Sequence, residues 1–176
     1  MDGASLGFRY QDPEPQTTYK YSSNQETAGQ FTGYVVYEDG NMIYVQKSEN
    51  AELIDNTMAN VATEAGNSKQ LTSIDSGVAC LAKFTDDNEW YRGEVMTISR
   101  DQCNIYFVDY GNQGNVLFAD ILEISKSLAE IPPLAIRCKV LGDADPVSVT
   151  DWSNGGKCQY SSILYLFLKH HHLNRC

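Results

Sequence analysis

The chain has 176 residues, of which 42% are hydrophobic, and 23 acidic residues against 13 basic ones give it a formal net charge of −10. That apolar fraction supports a packed core and excludes wholesale disorder, in one ordinary domain or two small ones sharing an interface. Lys and Arg are scattered singly, which argues against broad contact with nucleic-acid phosphates.

No apolar run approaches the roughly 20 residues needed to span a bilayer. Met1-Asp2-Gly3-Ala4-Ser5 has neither the basic start nor the apolar centre of a secretory signal. A soluble intracellular protein with no membrane partner is expected, and its acidic surface favours cationic partners, arginine-rich peptides among them. The five cysteines include no C-x-x-C pair, so no zinc site or thioredoxin-like motif is suggested. Cys80, Cys103 and Cys138 sit in apolar runs and read as buried free thiols.

Residues 1–27 are rich in Pro, Gln, Ser, Thr and Gly and read as a mobile leader, its Tyr10, Tyr19 and Tyr21 included. Two strand-like runs follow, 30–38 and 41–46, flanking Asp39-Gly40, which predicts a hairpin with a type I′ turn. Residues 48–65 change period. Ile54, Met58, Val61, Ala62 and Ala65 fall on one helical face, Ser48 is placed to cap the start, and Gly66 ends the run. Residues 67–73 are polar and read as a connection.

Gly77 opens a second β-rich block. Residues 78–84 are apolar enough for a buried strand. Residues 90–98 and 102–108, joined by Ser99-Arg100-Asp101, predict a hairpin, and 114–118 a further strand. Asp120 is positioned to cap a single helical turn. Short strands broken by polar turns suggest a small barrel. Pro132-Pro133 holds the chain extended, and 135–141 is another strand candidate. With a hairpin and helix before the barrel and a strand after it, the order implies a barrel inserted into a second β-rich unit. The divisions expected are a leader (1–27), the first part of the outer unit (28–74), the barrel (75–126), a return segment (127–153) and an atypical tail (154–176).

The stretch from Phe84 to Asn112, FTDDNEWYRGEVMTISRDQCNIYFVDYGN, concentrates aromatic side chains and ends in Asp109-Tyr110-Gly111-Asn112. Its G-x-x-C-x-A-K-F, E-W-Y-R-G-x-V and F-V-D-Y-G-N elements resemble the Tudor domain. The DG-M-I-Y-V-Q hairpin, the A-E-L-I-x-x-T-M helix and the I-P-P-L-A-I-R-C segment resemble its extended form. In that form a Tudor barrel is embedded in a staphylococcal-nuclease-like, OB-type unit. The resemblance covers 30–142. It implies a mainly β fold with one or two helices, and a non-catalytic reader of symmetrically dimethylated arginine. The implied partner is the Arg/Gly-rich tail of a Piwi-type Argonaute, in cytoplasmic, perinuclear germ granules (nuage) of the piRNA pathway, without a cofactor or direct nucleic-acid contact.

Carried over by position, the resemblance implies a methylarginine cage of Phe84, Tyr91, Phe107 and Tyr110 with Asn112 beside it. The chemistry suits a methylated guanidinium, which is planar, cationic and weakly hydrated, so that aromatic faces attract it and an amide oxygen accepts its remaining N–H. The competing reading is that these rings only pack the barrel. Trp90 alternates with Tyr91 and belongs to the opposite face, while Arg92 and Asp109 are assigned to an ion pair across the hairpin. Two departures stand out. Asp86-Asp87-Asn88 lengthens the turn between Phe84 and Tyr91, which would shift Phe84, and Phe107 stands where Tyr is common.

Beyond Asp151-Trp152-Ser153 the resemblance fades. Lys157 onward reads as intron read-through or an alternative exon, which would truncate the outer unit, and His170-His171-His172 as a chance run rather than a metal site. Alternative functions are an interaction scaffold with an inert cage and a methyl-lysine reader. A residual nuclease ranks low, since the Glu38 and Asp39 turn offers no arginine for a phosphate.

Overall fold

The computed structural model describes residues 16–22, 31–40 and 42–139. Among these described residues, two antiparallel sheets carry the fold. The first has three strands in the order β1 (Gly33–Asp39), β2 (Met42–Lys47), β8 (Ala135–Lys139). The second has five, in the order β6 (Gln113–Leu117), β5 (Gln102–Phe107), β4 (Trp90–Ile98), β3 (Ala79–Lys83), β7 (Ile121–Leu122). β2 pairs with β8, Met42 opposite Lys139, so the chain leaves the first sheet after β2 and rejoins it after β7. The five-stranded unit is therefore an insert. Its end strands β6 and β7 are joined by the single 3-10 turn Phe118–Asp120, so the sheet must curl to bring its edges that close.

The strands form where apolar residues recur with period two. In β5, Cys103, Ile105 and Phe107 point into the curled sheet, where they meet Cys80, Ala82, Val95 and Val116. β3 is apolar on both faces for a structural reason. Cys80 and Ala82 face the barrel interior, while Ala79 and Leu81 pack outside against Val61 of α1 (Ala51–Ala65) and Leu128 of α2 (Lys126–Ala129). Trp90 joins that outer cluster and Tyr91 packs on the inner one. Cys80, Cys103 and Cys138 are buried free thiols.

Several local expectations are corrected. Asp39 pairs with Met42, so the first hairpin turns one residue later than Asp39-Gly40, with Gly40 at φ +62°. Ser48 opens a 3-10 turn, Ser48–Asn50, instead of capping the helix; Asn50 is the N-cap of α1 and makes no side-chain cap bond. The buried face of α1 is Thr57 and Val61; Ile54 and Met58 are half-buried and Ala62 is exposed, because the helix lies on the barrel's outside. Asp120 lies within its turn, whose N-cap is Leu117. The tail and most of the leader lie outside the described residues.

Residues 16–22 contradict the reading of the leader as mobile. The Gln16 side-chain oxygen accepts from the Thr72 N–H (2.7 Å) and Ser73 N–H (3.1 Å), and the Tyr19 carbonyl accepts from the Ala79 N–H (2.8 Å). Tyr19 and Tyr21 pack on the outer cluster, and the Arg92 guanidinium lies 5.3 Å from the Tyr21 ring centroid. Removing residues 1–22 uncovers this apolar face, and a loss of about 2 kcal/mol is expected, read as a lower midpoint in urea. An unchanged midpoint would mean that the segment contributes nothing to the fold.

Candidate functional site

Four rings, two on strands and two in the connections between strands, meet at one end of the barrel. Phe84 follows β3, Tyr91 is on β4, Phe107 ends β5, and Tyr110 lies in the loop to β6. Tyr91 is edge-on to Phe84 (6.4 Å, 82°), to Phe107 (6.0 Å, 84°) and to Tyr110 (5.2 Å, 84°). Phe84 meets Phe107 at 5.2 Å and 79°. Phe84, Tyr91 and Tyr110 are half-buried, whereas Phe107 is 1% exposed and forms the floor under the others. The long Asp86-Asp87-Asn88 turn therefore does not carry Phe84 away from its partners. These near-perpendicular contacts are the geometry that ring quadrupoles favour.

Asn112 lies in the same loop, two residues after Tyr110. Its backbone carbonyl accepts from the Phe107 N–H (3.0 Å), fixing the loop from Phe107 to Asn112. Its side-chain oxygen is buried and has no hydrogen-bond partner among the described residues. An unmet buried acceptor costs about 1–3 kcal/mol, so native structures seldom retain one without a use.

The loop is braced from outside the barrel. The Gln46 amide on β2 donates to the Asp109 carbonyl (2.6 Å). Gly111, at φ +92°, lies so close to the Tyr44 ring that a Cβ there would fall 2.0 Å from Tyr44 Cδ1. The Asp109 carboxylate takes a forked pair from Arg92, Nε to Oδ2 at 2.9 Å and Nη2 to Oδ1 at 2.6 Å. The sequence alone suggested Arg92 and Asp109 but not Tyr44 or Gln46, whose contacts join residues far apart along the chain.

The rim is acidic. Burial first, then Asp109, Asp87 and Asp55, raise the Tyr110 phenol above its ordinary value. Burial raises Tyr91 further, helped by its hydrogen bond to Asp87. Asp87 itself is held below the usual carboxylate range, first by the Glu89 N–H and then by the Tyr91 hydroxyl. The site thus gathers aromatic faces, one unmet acceptor and fixed negative charge, a combination suited to a flat organic cation.

The sequence model of the Tudor domain matches residues 30–142. This chain belongs to the Tudor-domain family. Tudor domain-containing 6 of Danio rerio is 32% identical over 127 residues, which are 69% of this chain and 6% of that protein. The chain thus spans a small part of that relative's length. Among solved structures, the human TDRD1 extended Tudor domain, in complex with a symmetrically dimethylated peptide, is similar at a TM-score of 0.62 and 22% identity, over 70% of this chain and 63% of that one. The Drosophila melanogaster Papi extended Tudor domain, in complex with a Piwi N-terminal peptide, is similar at 0.58 and 22%, over 62% and 59%. The fold is that of an extended Tudor domain, mainly β, with the Tudor barrel inserted into the outer sheet.

Proposed function

We propose that this chain is a non-catalytic reader of symmetrically dimethylated arginine, with Phe84, Tyr91, Phe107 and Tyr110 as the cage and Asn112 as its polar partner. The observation that carries the reading is the meeting of the four rings, together with a buried Asn112 side-chain oxygen without a partner, two residues after Tyr110 in the same loop. A methylated guanidinium keeps its charge while losing N–H donors, so a cage with one acceptor suits it better than a carboxylate clamp. Each ring contact contributes on the order of 0.5–2 kcal/mol. The peptides held by the TDRD1 and Papi domains support this ligand class. The Papi complex supports, for the partner, an Arg/Gly-rich tail of a Piwi-type Argonaute. In that setting the chain acts as a scaffold for small-RNA silencing in perinuclear germ granules.

Calorimetric titration with symmetric, asymmetric and unmethylated Arg-Gly peptides, and a trimethyl-lysine peptide, tests the reading. The symmetric peptide is expected to bind best, and Tyr110→Ala to weaken it at least about tenfold. Equal affinity across the panel, or binding unaffected by Tyr110→Ala, overturns the cage.

A further inference from the structure

The cage rings are held in different ways, and Tyr91 is the one fixed through its hydroxyl to a side chain on the surface. That hydroxyl donates to Asp87 Oδ2 at 2.7 Å, while Asp87 Oδ1 accepts from the Glu89 N–H at 2.9 Å. The Glu89 carbonyl in turn accepts from the Phe84 N–H (2.8 Å), and the Phe84 carbonyl accepts from the Asn88 N–H (2.9 Å), with Asn88 in the left-handed region at φ +62°. One exposed carboxylate therefore closes the turn that begins at Phe84 and ties that turn to the ring of Tyr91. Shaping the turn needs only the bond to Glu89. The second oxygen is directed to the cage.

From this geometry we infer that Asp87 is a positioning and specificity residue of the cage, acting through the Tyr91 hydroxyl. The inference rests on the methylarginine reading above. Two physical effects follow from the bond. First, Tyr91 otherwise touches only other rings edge-on within the cage, and such contacts tolerate tilting; a short charge-assisted hydrogen bond does not. Second, a phenol donating to a carboxylate carries more electron density, so its face attracts a cation more strongly. The carboxylate also lies one hydrogen bond from that ring, favouring a cationic ligand over a neutral one of the same shape. Held below the usual carboxylate range, Asp87 stays ionised throughout the neutral range.

A double-mutant cycle on the symmetric dimethylarginine peptide tests this, using Asp87→Asn, Tyr91→Phe and the pair. Asn at 87 retains an oxygen for the Glu89 N–H and presents an amide N–H₂ to which the hydroxyl cannot donate, so the charge-assisted bond is replaced by at most a neutral one while the turn bond stays. Each single variant is expected to weaken binding about 3–10-fold, and the pair no more than the weaker-binding single, because both remove the same charge-assisted bond from the phenol to the carboxylate. The coupling should persist at about 0.5 M salt, where a bare charge effect is screened. Additive losses, a silent Tyr91→Phe, or an Asp87→Asn effect abolished by salt overturns the inference while leaving the reader intact. A wild-type chain that binds none of the peptides overturns the reader, and this inference with it. Thermal melts of all four chains confirm that the comparison is between folded proteins.

Discussion

Arg92→Met is expected to lower the folding free energy by about 3–5 kcal/mol, the cost typical of breaking a buried ion pair from one side. Arg92 is 0% exposed, and all five of its N–H groups are used. Nε and one Nη2 hydrogen go to Asp109; the second Nη2 hydrogen goes to the Pro132 carbonyl (3.1 Å), and Nη1 serves the Leu128 and Ile131 carbonyls (2.7 Å each). Met leaves a carboxylate 1% exposed without its cation and three carbonyls without their donor. A domain of ordinary stability, about 5–15 kcal/mol, loses a large share of it. Arg92→Lys should recover little, since a single ammonium cannot fork onto Asp109 while reaching three carbonyls on the other side. Pairing Arg92→Met with Asp109→Leu should not restore stability either, in contrast to isolated buried pairs. The three carbonyls remain, and the Leu134 N–H loses its bond to Asp109 Oδ1 (3.1 Å). Urea unfolding followed by tryptophan fluorescence measures each term. A double variant as stable as the parent would mean that Arg92 serves only Asp109 and does not join barrel to return segment.

The contrast between what the sequence showed and what it hid follows from the range of the interactions. The β4–β5 hairpin is legible because alternation is local. Tyr91, Val95, Ile105 and Phe107 point one way, and a Ser-Arg-Asp turn stands between the strands. The ring residues are legible through W-Y-R and D-Y-G-N, which are compact in sequence. Residues 16–22 are not, because Tyr19 and Tyr21 are isolated apolar residues in a polar stretch and gain their partners from β3 and Arg92, about 60 to 70 positions on. α2 is a single turn, too short to display a period, and the Ser125 cap that accepts from the Leu128 N–H is its only local sign. The expected face of α1 is the packed one except at Ala62, but only Val61 and the unforeseen Thr57 are fully buried, because periodicity finds an apolar stripe without saying how much of it a curved neighbour covers. Asp87 was legible as a turn residue, but its bond to Tyr91 depends on how the hairpin closes.

Gly111→Ala is expected to be the most damaging single-methyl change in the cage loop. At φ +92° an alanine is strained by about 1–3 kcal/mol before any contact is counted. Its Cβ would also lie 2.0 Å from Cδ1, 2.2 Å from Cγ and 2.7 Å from Cε1 of Tyr44, inside the ring's own volume. Tyr44 is not free to yield. It is 7% exposed and sits between Tyr37 (5.7 Å) and Tyr106 (6.5 Å). The loop must therefore move, and Tyr110 and Asn112 flank it on either side. Peptide affinity should fall with stability, and an affinity loss should remain in whatever fraction stays folded. Gly114 supplies the control three residues later. A Cβ there meets Phe107 and Phe84 at 3.4–3.8 Å, ordinary contact distances, so Gly114→Ala should stay within about 0.5 kcal/mol of the parent. Tyr44→Ala in the Gly111→Ala background separates the two causes, since it removes the clash and leaves the backbone strain. The double variant should be less destabilised than the sum of the singles, by the share that belongs to the clash. Strict additivity would assign the whole effect to the backbone and would remove Tyr44 as the brace of the cage loop.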